Sequence, residues 1–348
     1  MLRPFSKAEV HFELRQEIGH EGCNSTVHIA YDRQLDAEIV VKQVPKSDLP
    51  SLDEFFEESR ILYLSAHPNV VQVYYACQDI ESVYIAMPHY TRGSLNTLLE
   101  ERFLTVRDIV VLGCQIASAL HHIHSKQLIH FDVKPDNVLL SDRGEALLSD
   151  FGLAKRMSHS GTAQPDKVYS KMLPPEASQS REHSCAYDIY QLGLTLYRMC
   201  NGNLLFNKQF DRYDFDELSE RERFLADVRR GSFPCRRTYL EHIPSRIRKI
   251  IRKCLEPNPR ERFQSAIDVA NELAQIDEGL DWQYEDLSHS RSWSCDDSKK
   301  QINLIIDAEG NALATKLIYA SGRTSRITAF CKKPLSSAEI SRFFREHS

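Results

Sequence analysis

The pattern of apolar residues changes once along this chain, and that change limits the folds open to it. Through 12–87, the segments VHIAYD, AEIVVKQV, VVQVYYACQ and SVYIAMP are rich in β-branched and aromatic residues, which marks strands. Between them, LDEFFEESRILYLSA repeats its apolar residues at helical spacing. From Leu95 onward helical patterns dominate. They include TVRDIVVLGCQIASALHHIHSK with Thr105 as a candidate N-cap, then YDIYQLGLTLYRMC, PSRIRKIIRKCL and SAIDVANELAQI. A small β-rich lobe over 1–87, a connection over 88–93 and an α-rich lobe over 94–276 together predict a bilobal α+β fold.

Beyond 276 the periodicity fades. The acidic, serine-rich stretch 277–300 reads as a linker or an irregular strap, with Trp282 and Trp293 anchoring it to the large lobe. The last part, 301–348, reads as a small module of three strands, turning at AEGN and SGRT, and then a helix. Ser336 and Glu339 have capping-box spacing at the start of that helix.

Composition narrows the function classes. A net charge of -5 over 348 residues argues against a chain that binds nucleic acid along its whole length. The 9 cysteines are scattered, with no CxxC pair, so zinc-ribbon and thioredoxin-like chemistry have no support. The N-terminal MLRPFSKAEV has no apolar signal core, and no stretch is long and apolar enough to span a bilayer. A cytoplasmic protein with reduced thiols is expected.

The chemistry sits in LIHFDVKPDNVLL, 128–140, where His130, Asp132, Lys134 and Asn137 stand at fixed spacing. Phosphoryl transfer needs a carboxylate to orient the attacking hydroxyl and accept its proton. It also needs a cation near the moving phosphate and an oxygen ligand for a metal ion. Asp132, Lys134 and Asn137 supply those groups in order. Thirteen positions past Asn137, SDFGLAK places Asp150 in a turn, where a carboxylate suits Mg²⁺.

These two strings resemble the catalytic loop and the magnesium-binding loop of the eukaryotic-type protein kinase family. The resemblance covers about 12–276 and implies the bilobal protein-kinase fold. It also implies ATP and Mg²⁺ as cofactors, with Asp132 as base and Asn137 and Asp150 as metal ligands. IGHEGCNSTVHIA resembles the glycine-rich loop, with Gly19 and Gly22 kept, Ser25 at the third glycine, one extra residue between the first two, and Val27 closing the motif. AEIVVKQV implies Lys42 on the phosphates, and FFEESRIL implies Glu58 as its ion-pair partner. IAMPHYTRGSL resembles the hinge, with Met87 beside the adenine and His89 lining the hinge. The resemblance also places Val27, Val40 and Leu139 around the base. LPPEA and EPNPRERF imply a Glu176–Arg262 pair, and Asp188 and Gly193 fall on a structural helix. Lys134 is the serine/threonine-type residue, so a protein serine or threonine is the implied acceptor.

The sequence departs from the family at Phe131, where many members carry an arginine that binds a phosphorylated activation loop. That HFD variant implies activity independent of such switching. Tyr169 stands near the position of a threonine that touches the catalytic aspartate and lysine in the family. An ATP-binding pseudokinase scaffold and a small-molecule kinase stay open as alternatives. The basic residues Lys316, Arg323, Arg326, Lys332, Lys333, Arg342 and Arg345 read as a solvated surface, with an acidic partner or nucleic acid as the sharper alternative.

Overall fold

The structure is a computed structural model that describes residues 9–20, 25–48, 60–61, 63–165 and 170–347. The first lobe is a five-stranded antiparallel sheet of β1 (Phe12–His20), β2 (Thr26–Asp32), β3 (Ala37–Pro45), β4 (Tyr75–Gln78) and β5 (Ser82–Pro88). The strand order is β1-β2-β3-β5-β4. Alternation along β3 sends Ile39 and Val41 to one face, where they pack with Ala30, Tyr84 and Ala86. Val40, Lys42 and Val44 point to the other face. The helix expected between β3 and β4 lies largely outside the described residues; its end is helical at Arg60 and Ile61, and Ile61 is buried in the core of the second lobe.

The chain crosses between lobes over 88–93. Gly93, with φ +68°, turns it into α1 (Leu95–Glu101), which Ser94 caps by accepting from the Thr97 N–H. The long helix α2 (Val106–Ser125) starts at a full capping box: Thr105 accepts from the Asp108 N–H, and Asp108 accepts from that of Thr105. Short strands β6 (Leu128–Ile129), β7 (Val138–Leu140), β8 (Ala146–Leu148) and β9 (Lys155–Arg156) follow, paired β6 with β9 and β7 with β8.

The centre of the large lobe is α3 (Ala186–Asn201), every residue of which is buried. Such a helix cannot be amphipathic in the surface sense, and its polar residues must find partners inside. Around it lie α4 (Asn203–Phe210), α5 (Leu218–Arg230), α6 (Ser245–Cys254) and α7 (Ala266–Ala274). Gly193 allows α3 to approach α6, since a Cβ there would stand 2.6 Å from Cys254 Cβ.

The stretch expected to be a linker is mostly folded. Within 277–300, β10 (Gln283–Leu287) and β11 (Ser290–Asp296) form a hairpin. They continue into β12 (Lys300–Asp307), β13 (Ala312–Ile318) and β14 (Arg323–Arg326), a five-stranded meander in sequence order. The three strands expected beyond 300 are present, and the hairpin adds two. One face of this sheet is covered by α8 (Ser337–Glu346), which opens at the Ser336–Glu339 capping box.

Trp282 and Trp293 therefore belong to the core of the module, with Leu304, Phe330, Phe343 and Phe344. Burying aromatic side chains of this size gives a small sheet enough apolar area to hold its helix. The module also meets the large lobe. Trp293 Nε1 donates to His242 Nδ1 at 3.2 Å, Phe103 stacks edge-on against Tyr284, and Arg107 makes a two-pronged ion pair with Asp281 at 2.6 and 2.8 Å. Among the described residues, no helix is long and apolar enough to cross a membrane.

Candidate active site

The site forms where β7, β8 and the loop before them come under the face of the first sheet that carries Lys42. Its frame is α3. Asp188 is fully buried, and its two carboxylate oxygens accept from consecutive backbone groups, His130 N–H at 2.9 Å and Phe131 N–H at 2.8 Å. One carboxylate can meet two successive N–H groups only if the chain kinks, and Phe131 sits in the left-handed region at φ +66°. For a bulky residue that conformation is costly, and the Asp188 bonds hold it in place. One turn further along α3, Gln191 accepts from the Val133 N–H at 2.9 Å and donates to the Phe131 carbonyl at 3.0 Å. The catalytic-loop backbone is thus clamped from below by two side chains of one buried helix.

His124 supports the clamp from α2, with Nε2 2.8 Å from Asp188 Oδ2. Burial pulls the imidazole toward neutrality, but the Asp188 carboxylate outweighs it and raises the histidine to about 9. His130 packs edge-on against Phe151 and donates from Nε2 to the Ser149 carbonyl at 3.0 Å, which leaves Nδ1 to accept from the Asp132 N–H.

Above this frame the polar groups converge on Asp132. Its Oδ2 accepts from Lys134 Nζ at 2.7 Å and from Asn137 Nδ2 at 2.8 Å. Its Oδ1 is buried and has no hydrogen-bond partner. A buried carboxylate oxygen left without a donor is expensive, so it is a ready acceptor for an incoming hydroxyl. Asn137 is tied to the loop that carries Asp150, since the Ser149 N–H donates to its carbonyl at 2.9 Å.

Asp150 takes a left-handed conformation at φ +56° and lies 3.2 Å from Lys42 Nζ. Burial would raise its carboxyl. The positive charge and hydrogen bond of Lys42, with the charge of Lys134 adding to them, outweigh burial and hold it below the usual carboxylate range. Among the described residues an ion pair thus links the two lobes, Lys42 from β3 to Asp150 from the loop after β8.

Register places the expected nucleotide-lining residues together. Val27 stands opposite Lys42 across β2 and β3, and Val40 stands opposite Met87 across β3 and β5. Residues directly opposite share a face, so all four line the side of the sheet that carries Lys42. Leu139 on β7 faces the hinge, in a bridge to Ser94. Gly19, near the end of β1, pairs with Val27. The His89 side chain pairs with Glu38 at 2.6 Å through Nδ1. Gly22, Glu58 and Tyr169 lie outside the described residues.

The end of the activation segment is fixed by the expected ion pair. Arg262, with no exposed side-chain area, donates to both Glu176 oxygens at 2.7 and 2.6 Å. Phe131, in place of an arginine, packs edge-on against Tyr187 at 5.0 Å and joins an apolar cluster with Ile129 and Ala163. Ala163 in turn pairs with His183 through two backbone hydrogen bonds of 2.9 Å. The hydroxyls of Ser158, Ser160 and Thr162 bond to one another, and Thr162 donates to Glu182 at 2.7 Å. Sequence reasoning missed Gln191 and His124. For Gln191 the signal was its i, i+3 spacing from Asp188 on a helix whose other side chains are largely apolar.

Comparison with known proteins agrees with this geometry. A profile described as the protein kinase domain matches residues 12–275, well over half of the chain. The chain belongs to the protein kinase domain family. A probable serine/threonine-protein kinase of Clostridium acetobutylicum is 28% identical over 272 residues, covering 76% of this chain and 40% of that protein. The serine/threonine-protein kinase PknD of Chlamydia muridarum is 27% identical over 301 residues, covering 75% of this chain and 31% of that protein. PknK of Mycobacterium bovis is 29% identical over 279 residues, 78% of this chain and 24% of that protein. The chain therefore spans well under half the length of each of these relatives. Membership of the kinase domain family implies ATP and a divalent metal ion.

Proposed function

We propose that this kinase domain is an active enzyme that transfers the γ-phosphate of ATP to a serine or threonine hydroxyl of a protein. The observation that carries the proposal is Asp132, whose Oδ2 is held by Lys134 and Asn137 while Oδ1 is buried and free to accept. In this reading the substrate hydroxyl donates to Oδ1. Its oxygen attacks the γ-phosphorus, the bond to the β-phosphate oxygen breaks, and the proton passes to Asp132 as ADP leaves. Lys134 stays at the transferring phosphate as a compensating charge, and Lys42 holds the nucleotide phosphates from above.

Asn137 and Asp150 supply the hard oxygen donors that Mg²⁺ takes, and the ionised state favoured for Asp150 suits it as the anionic ligand. When bound, the metal would neutralise charge building on the phosphates. Glu58, Gly19 and Gly22 complete the proposal as the Lys42 partner and the phosphate loop. Val27, Val40, Met87, His89 and Leu139 are assigned to the adenine. The Glu176–Arg262 pair favours a protein acceptor, because it fixes the end of the segment against which an extended peptide would lie.

Phe131 supports activity without a phosphorylated activation loop, since apolar packing with Ile129, Ala163 and Tyr187 already ties that segment to the catalytic loop. The free thiols found among the described residues suit a reducing, cytoplasmic setting.

The test is transfer from labelled ATP with Mg²⁺ to a generic protein acceptor and to metabolite hydroxyls, followed by phosphoamino-acid analysis. Phosphoserine or phosphothreonine is expected. Nucleotide binding with no transfer to any acceptor would leave a pseudokinase scaffold, and transfer to metabolites alone would leave a small-molecule kinase.

A further inference from the structure

A cavity lies away from the cleft, between the end of α5 and the last turn of α6. Its volume is about 620 Å³, and it is lined by Gly231, Ser232, Cys235, Arg236, Arg237 and Arg252. Three guanidinium groups face it and no carboxylate does. Arg237 and Arg252 are exposed at its mouth, and neither forms an ion pair among the described residues. Arg236 lies deeper. Its Nε and Nη2 are out of contact with solvent and have no hydrogen-bond partner.

The backbone makes room for this group. Gly231 ends α5 in the left-handed region at φ +71°, and a Cβ there would stand 2.4 Å from Arg236 Nη2. A side chain at that position would therefore push the guanidinium out. Glu256 lies near enough to act on Arg236, yet among the described residues the two form no ion pair. Tyr190 and Tyr239 also act on it, and the hydroxyls of both are buried without partners. Three arginines gathered around one cavity with no carboxylate in its lining make a local concentration of positive charge that an anion would relieve. The planar fork of a guanidinium can donate to two oxygens of a phosphate-type oxyanion at once.

We propose that this cavity is an anion site for a phosphate-type dianion, with Arg236 at its base and Arg237 and Arg252 at its mouth. α5 also packs against the 3-10 turn Pro175–Ser178, so the site stands on the side of the lobe where the activation segment ends. The dianion can be free phosphate or the phosphoryl group of a phosphorylated protein, and the proposal stands whether or not the cleft transfers phosphate.

Cys235 supplies a reporter, because its exposed thiol lines the same cavity. The experiment follows its alkylation by iodoacetamide in the full chain, by peptide mass spectrometry. It titrates inorganic phosphate, a phosphoserine peptide and the unphosphorylated peptide, each at matched ionic strength. Saturable protection by phosphate is expected in the wild type. Arg236→Met should raise the half-protecting concentration by about tenfold or more, the loss of a charge-assisted bond.

If Arg236→Met does not fold, the exposed Arg237→Met and Arg252→Met should each raise that concentration by about threefold. Protection by the phosphopeptide at lower concentration than by phosphate assigns the site to phosphoproteins; the reverse order assigns it to free phosphate. Absence of protection in the wild type, equal protection by the unphosphorylated peptide, or unchanged protection in the arginine variants would overturn the proposal.

Discussion

The protein contains two five-stranded antiparallel sheets that bury their faces differently. Among the described residues, the first, β1 to β5, gathers small apolar clusters, Ala30, Ile39, Val41, Tyr84 and Ala86 on one face and Val44, Val83 and Ile85 on the other. It carries a buried lysine, Lys42, whose ammonium reaches across to Asp150. The second, β10 to β14, runs as a simple meander. It fills its inner face with Trp282, Tyr284, Trp293, Phe343 and Phe344. The lesson is that similar sheets diverge by what covers them. A face that shares its edge with a cleft keeps a charged lysine among aliphatic residues, while a face closed by its own helix is packed with aromatic rings.

The comparison can be broken most sharply by exchanging the kind of damage. Lys42→Met should cut phosphate transfer by about 10²-fold or more, by removing a charge aimed at the phosphates, while leaving the thermal midpoint near that of the wild type. Trp293→Ala should do the reverse. It should destabilise the chain by about 3–5 kcal/mol in denaturant titration, through the cavity it leaves. The protein that stays folded should bind nucleotide normally. Arg262→Met, in the large lobe, should cost about 3–5 kcal/mol as well, because the Glu176 carboxylate would lose its partner.

Two buried histidines sharpen the contrast with opposite signs. His124, raised to about 9 by Asp188, stabilises the large lobe fully below about pH 6.5, and that contribution fades as pH rises toward 9. His242, beside Trp293, is pushed down to about 3, with burial as the main cause and Arg248 adding to it. Its folded form refuses a proton that the unfolded chain accepts, so stability is full above about 6.5 and falls as pH drops toward 3. Each slope approaches about 1.4 kcal/mol per pH unit. Urea titrations at several pH values should show the alkaline loss flattened in His124→Gln and the acid loss flattened in His242→Gln. The smallest effects fall on the two capping boxes: Thr105→Ala and Ser336→Ala should each cost about 1 kcal/mol, measured by thermal unfolding.

Much of the site could be read from the chain because its parts lie close in sequence. Asp132, Lys134 and Asn137 span six positions, and local spacing carries the geometry that brings them to one carboxylate. The strand–helix order was legible for the same reason, since periodicity is local. The hairpin at 283–296 was not. Its loop is Ser288–His289, without the glycine or asparagine that announces a two-residue turn. Its outward positions, such as Glu285, Ser292 and Ser294, make the stretch look like a polar strap, with only Tyr284 and Trp293 betraying the inner face. The clamp by Gln191 and the Arg107–Asp281 pair were also hidden, because each joins residues far apart in sequence whose types are ordinary.

The proposed transfer depends most on the buried oxygen Oδ1 of Asp132, which has no hydrogen-bond partner. The direct measurement compares wild type with Asp132→Ala for both Mg²⁺–ATP affinity and the rate of labelled phosphate transfer to a serine-containing acceptor. The account predicts affinity within a few-fold of wild type and a transfer rate lower by about 10²–10⁴-fold. Transfer at the wild-type rate by a folded Asp132→Ala protein would contradict it.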